Sequence, residues 1–85
     1  MRIRDEIEQK LQAHFAPSLL RVEDDSESHR GHGGWREAGE THFNVVMRAT
    51  ALAPLSRLAR HRAVHTALGA DLVSRIHALA LDLDG

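Results

Sequence analysis

Histidine, arginine and glycine carry the chemistry available to this chain. The stretch from Asp25 to Phe43 holds His29, His32 and His42, three of the seven histidines, and Gly31, Gly33, Gly34 and Gly39, four of the six glycines. His29 and His32 lie three residues apart, and His77 stands much later in the chain. Neutral imidazole is a good ligand for zinc, copper, nickel and iron. His29, His32 and His77 are therefore candidate metal ligands. The plainer alternatives are solvated loop residues for the first two and a half-buried, hydrogen-bonded strand residue for His77. A second cluster, Arg57, Arg60, His61 and Arg62, is basic and falls within one helical stretch, an arrangement that can touch phosphates. Against it, Glu23, Asp24, Asp25 and Glu27 stand together, and one Trp with no Tyr leaves little for base stacking. Gly31-His32-Gly33-Gly34 satisfies the G-x-x-G pattern of KH domains, but any glycine-rich loop does so, and KH domains place it between helices. Ser26 and Ser28 adjoin Asp25 and His29, yet neighbours in a loop are not a triad held by rigid elements. Nothing in these residues reads as an enzyme.

The totals narrow the classes. Eighty-five residues make one domain, 1–85, above the size at which staples become necessary. Aromatic content of 4% requires an aliphatic core. A formal charge of −1 excludes a polycation, so contact with nucleic acid would need a local basic patch. The chain has no cysteine, which removes disulfides, thiolate ligands and a cysteine nucleophile together. Met1-Arg2-Ile3-Arg4-Asp5-Glu6 enters a charged amphipathic pattern with no apolar h-region, and no apolar run approaches a membrane span. The expectation is a soluble cytoplasmic protein with no membrane partner.

Elements that must position these residues are legible in the apolar spacing. Ile3, Ile7, Leu11 and Phe15 recur at helical spacing until Pro17. Leu19 to Asp24 alternates as a strand, with Leu20 and Val22 on one face and Arg21 and Glu23 on the other. A loop over about 26–40 follows; one so long in so short a chain is more often functional or disordered than merely connecting. Thr41 to Thr50 alternates again, with Phe43, Val45, Met47 and Ala49 on one face and His42, Asn44 and Arg48 on the other. Two strands joined by one loop pair most simply antiparallel. Pro54 opens a helix with Ser56 early in it; its apolar stripe is Leu58, Val64, Leu68 and Leu72, and His61 and His65 fall on that stripe. Gly69 breaks this helix, leaving Ala70 to Arg75 as a separate short turn. Ile76 to Leu83 is a last strand, with His77, Leu79, Leu81 and Leu83 sharing a face opposite Ala78, Ala80 and Asp82. The order α-β-β-α-(α)-β predicts an α+β domain, a three-stranded sheet with helices on one face.

Four runs, taken together and in order, carry a resemblance. Asp25-Ser26-Glu27-Ser28-His29, Gly39-Glu40-Thr41-His42-Phe43, Arg60-His61-Arg62 and Ile76-His77-Ala78-Leu79-Ala80 closely resemble the BolA family over nearly the whole chain. The resemblance implies a small BolA fold similar to class II KH domains, in agreement with the element order. It also implies a role as partner of monothiol glutaredoxins, in mixed dimers that hold a [2Fe-2S] cluster with glutathione supplied in the complex. Some members are described instead as DNA-binding regulators of stress and cell shape; here Arg57, Arg60, His61 and Arg62 would serve. The family's carboxy-terminal ligand histidine matches His77, and its loop ligand points to His29, with His32 as an extra candidate. One iron of such a cluster accepts two imidazoles if the other keeps thiolates; lacking cysteine, this chain would need a partner to bring sulfur. The chain departs from the family pattern at Leu52-Ala53-Pro54, where many members carry an aromatic and a glycine, and in its longer, glycine-rich loop.

Overall fold

The computed structural model describes residues 2–25 and 42–85. Helix α1 runs Ile3–Phe15, strand β1 Leu19–Asp24, strand β2 His42–Arg48, helix α2 Arg57–Leu68, helix α3 Ala70–Ser74 and strand β3 Ala78–Asp84, with a 3-10 turn at Thr50–Leu52 between β2 and α2.

Helix α1 follows from Ile7 and Leu11, four apart and both fully buried, with Asp5 and Glu6 in the first turn, the charges its dipole favours there. It ends at Ala16, whose N–H still donates to the Gln12 carbonyl while its left-handed backbone (φ 44°, ψ 55°) turns the chain out of the helix, and Pro17 prevents continuation. Lys10 donates from α1 to the Leu68 carbonyl at 3.1 Å, closing the end of α2.

The sheet order is β1-β2-β3. β1 and β2 pair antiparallel, with Val22 opposite Val45 and Asp24 opposite Phe43. β2 and β3 pair parallel, with His42 beside Ala78 and Val45 beside Leu81. A parallel pair requires a long crossover, and α2 with α3 supplies it. The α+β class, the element order and the break at Gly69 agree with the sequence reading. The core is aliphatic, as the composition requires: Ile7, Leu11, Val22, Val45, Met47, Ala49, Leu52, Val64, Leu68 and Leu72 surround Phe43. Leu79, Leu81 and Leu83 of β3 pack against it half-buried.

Two boundaries and one helix face differ from the sequence pattern. Helix α2 starts at Arg57, not Pro54: the Ser56 hydroxyl accepts from the Ala59 N–H at 3.1 Å and sets the first turn. Leu58 is 61% exposed and His65 is exposed, so the buried stripe of α2 reduces to Val64 and Leu68. Strand β3 begins at Ala78, leaving Ile76 and His77 in the bend before it.

Candidate functional site

Parallel pairing brings the starts of β2 and β3 to the same end of the sheet. His42 is the first residue of β2, and its register partner Ala78 is the first of β3. His77, one residue earlier, therefore arrives next to His42. Their ring centres are 5.1 Å apart with planes inclined at 56°. His42 is 5% exposed, a buried polar ring among an otherwise apolar set, whereas His77 is exposed. Sequence alternation put His77 on the leucine face and half-buried; the bend before β3 takes it out of the alternation and turns it to solvent.

Backbone contacts hold both histidines. The Asp25 N–H donates to the His42 carbonyl at 2.7 Å, carrying the β1–β2 ladder one residue past the strand end. On the other side, the Arg75 N–H donates to the Leu72 carbonyl at 3.1 Å and the Ile76 N–H to the Val73 carbonyl at 3.3 Å, so the exit of α3 sets where His77 begins. Two residues before His77, Arg75 grips Glu6 of α1 through both terminal guanidinium nitrogens, at 3.1 and 2.9 Å. The hydrogen bond from Arg75 holds the Glu6 carboxyl below the usual carboxylate range, and the same bond pushes the Arg75 guanidinium up.

The remaining sequence candidates fall into three groups. His29 and His32 lie outside the described residues. Arg57 and Arg62 are exposed on α2 and His61 is half-exposed. Arg60 is turned inward: its guanidinium donates to the carbonyls of Leu52 at 2.9 Å, Leu83 at 3.2 Å and Ala53 at 3.2 Å, and lies 3.4 Å from the Asp84 carboxylate. It ties the turn after β2 to the end of β3. A shallow groove between α2 and β3 is lined by Arg57, Arg60, His61, Leu81, Asp82 and Leu83. Asp82 within it answers Arg48 at 3.1 Å and makes the groove mixed in charge rather than basic. Among the described residues, no three histidine, cysteine or acidic side chains converge as a complete metal cage.

His42 is the neighbour of His77 that sequence reasoning missed. The signal was the repeated step His-apolar at the head of two strands, His42-Phe43 and His77-Ala78-Leu79, but only the parallel pairing makes the two heads adjacent. Chemically, two imidazoles at one sheet end, one fixed by burial and one open to solvent, form an incomplete nitrogen ligand set. That set suits an iron or another transition metal whose remaining ligands come from elsewhere.

The family described as BolA-like protein matches residues 11–84. The chain is 40% identical over 81 residues to the DNA-binding transcriptional regulator BolA of Escherichia coli (strain K12), covering 95% of this chain and 73% of that one. Among solved structures, the BolA domain of SufE1 from Arabidopsis thaliana superposes with a TM-score of 0.81 at 36% identity, covering 95% of this chain and 88% of that one. BolA1 from Arabidopsis thaliana superposes with a TM-score of 0.82 at 28% identity, covering 99% and 92%. The chain thus belongs to the BolA-like family.

Proposed function

We propose that this chain is a non-enzymatic partner of monothiol glutaredoxins that co-binds a [2Fe-2S] cluster for iron-sulfur trafficking or iron and redox regulation. The observation that carries the reading is His77, exposed at the head of β3 against the His42 ring, on a chain without cysteine. His77 supplies nitrogen to one iron; a second imidazole comes from His29 or His32 of the loop, and the glutaredoxin cysteine with glutathione supplies sulfur to the other iron. Mixed nitrogen and thiolate ligation of this kind raises the cluster potential relative to all-thiolate ligation. The domain works in the cytoplasm.

Anaerobic assembly with a monothiol glutaredoxin, glutathione, iron and sulfide tests this reading, followed by visible absorption and circular dichroism. The expected spectrum differs from that of glutaredoxin alone and changes in His77→Ala, while the far-ultraviolet spectrum of the isolated variant stays that of the native fold. A spectrum identical to glutaredoxin alone, with no co-elution, overturns it.

A second reading, a DNA-binding transcriptional regulator, is favoured by the printed name of the 40% identical Escherichia coli relative and by the exposure of Arg57 and Arg62. In that reading Arg57, His61 and Arg62 meet phosphates, and Arg60, drawn inward, holds the helix that presents them.

A further inference from the structure

We infer that the outer edge of β3, with the groove between it and α2, is a docking site for an extended segment of another protein, one that pairs with Leu79 and Leu81 as a fourth strand and carries an acidic residue towards Arg57. The inference does not rest on the cluster reading, because His77 precedes the strand and takes no part in it.

Backbone direction is the first support. β3 stands at one edge of the sheet. The Ala49 N–H donates to the Asp84 carbonyl at 3.0 Å, so Asp84 faces β2, and so, at every second residue, do Asp82, Ala80 and Ala78. The N–H and C=O groups of Leu79, Leu81 and Leu83 therefore point away from the sheet. Of these, the Leu83 carbonyl accepts from Arg60 at 3.2 Å. Among the described residues, nothing hydrogen-bonds the outward groups of Leu79 and Leu81. The opposite edge is partly closed, since Arg4 of α1 donates to the Val22 carbonyl of β1 at 3.0 Å. A strand edge with no proline, bulge or inward charge accepts another strand.

Side chains set the occupant. Leu79, Leu81 and Leu83 are half-buried, which leaves apolar surface for alternate side chains of an added strand. Beside Leu81 and Leu83 the groove is walled by Arg57 and His61, and the exposed Leu58 adjoins them. Arg48 answers Asp82 and Arg60 answers Asp84, whereas Arg57 has no carboxylate partner among the described residues. An acidic side chain flanked by apolar ones complements that wall. A second copy of this chain does not, because pairing β3 with β3 brings two basic α2 faces together, and like charges so placed are costly.

The probe is a blocked Thr-Val-Thr-Glu-Thr-Val-Thr peptide, and its control carries lysine in place of glutamate. Each is titrated into the nitrogen-15-labelled full chain, with backbone amide shifts and hydrogen exchange read residue by residue. In the free chain the Leu79 and Leu81 amides exchange fast and those of Ala80 and Asp82 slowly. The glutamate peptide shifts and protects Leu79 and Leu81 on one binding curve, and binds more tightly than the lysine peptide. Arg57→Glu, at an exposed position, weakens the glutamate peptide by about tenfold and reverses the preference. Leu81→Pro removes an outward N–H without breaking the ladder to β2 and abolishes the Leu79 shift. Where that variant does not fold, Arg57→Glu keeps the test decisive. Protection of Leu79 and Leu81 that rises with protein concentration, with a dimer in sedimentation, gives the edge to a second copy and overturns the proposal. Shifts confined to α2, which mark an ionic contact only, also overturn it, as do equal binding of the two peptides and the absence of any shift at millimolar peptide.

Discussion

Glu6 and Arg75 form a two-pronged ion pair across the surface, close in sequence to His77. Arg75 precedes His77 by two residues, and its hold on α1 fixes the exit of α3 from which His77 emerges. Glu6 has its proton affinity lowered in the fold, chiefly by the Arg75 hydrogen bond. A carboxylate with a lowered folded value contributes stability above its unfolded value and loses it as pH falls through the folded one. Arg75, shifted upward, loses its contribution only as pH rises beyond any ordinary working range. Glu6→Gln is therefore expected to lower the urea midpoint slightly at neutral pH, and the difference should shrink once pH drops below about 4. Urea titrations of both proteins at several pH values check this; a difference that stays constant or grows on acidification counts against the pair. Neither partner stood out in the sequence, because residues 6 and 75 meet only when α1 lies beside the end of α3.

At the scale of elements, Arg60 decides how the crossover is fastened. Three carbonyls, from Leu52, Ala53 and Leu83, share one planar guanidinium whose five donors suit such a cluster. In the sequence it was one of four members of a basic cluster, indistinguishable from Arg57 and Arg62. The fold separates them, because α2 turns Arg60 towards the 3-10 turn and β3 and leaves the other two in solvent. Arg60→Ala is expected to cost about 1–3 kcal/mol through the carbonyls it strands. Arg60→Lys recovers only part of that, since one ammonium does not reproduce the planar fork. Urea unfolding of both variants measures it, and an Arg60→Ala protein as stable as the parent would show that these bonds contribute nothing.

For the whole molecule, charge distribution bears most directly on the choice between readings. The net charge is −1, and Arg48 and Arg60 are answered by Asp82 and Asp84. Among the described residues, the exposed side of α2 presents Arg57, His61 and Arg62 to a polyanion. If this face binds duplex DNA, affinity should fall steeply with salt, and the Arg57→Ala/Arg62→Ala double variant should flatten that dependence by about two ions without changing the fold. Absence of binding near physiological salt ends the DNA reading and leaves the cluster partnership.

The amino-acid order by itself determined the element types, their sequence and most of the buried set. Ile7, Leu11, Val22, Phe43, Val45, Met47, Ala49, Val64, Leu68 and Leu72 are buried as their spacing requires, because periodicity of 3.6 or 2 is a local property of the chain. It also determined that no thiolate ligand comes from these 85 residues. Which strands lie side by side is not local. The parallel register of β2 on β3 depends on α2 and α3 crossing over the sheet and burying Val64, Leu68 and Leu72, so only the tertiary structure set His42 against His77. The inward turn of Arg60 and the exposure of Leu58 were settled in the same way, by which surfaces the packed core had left to cover.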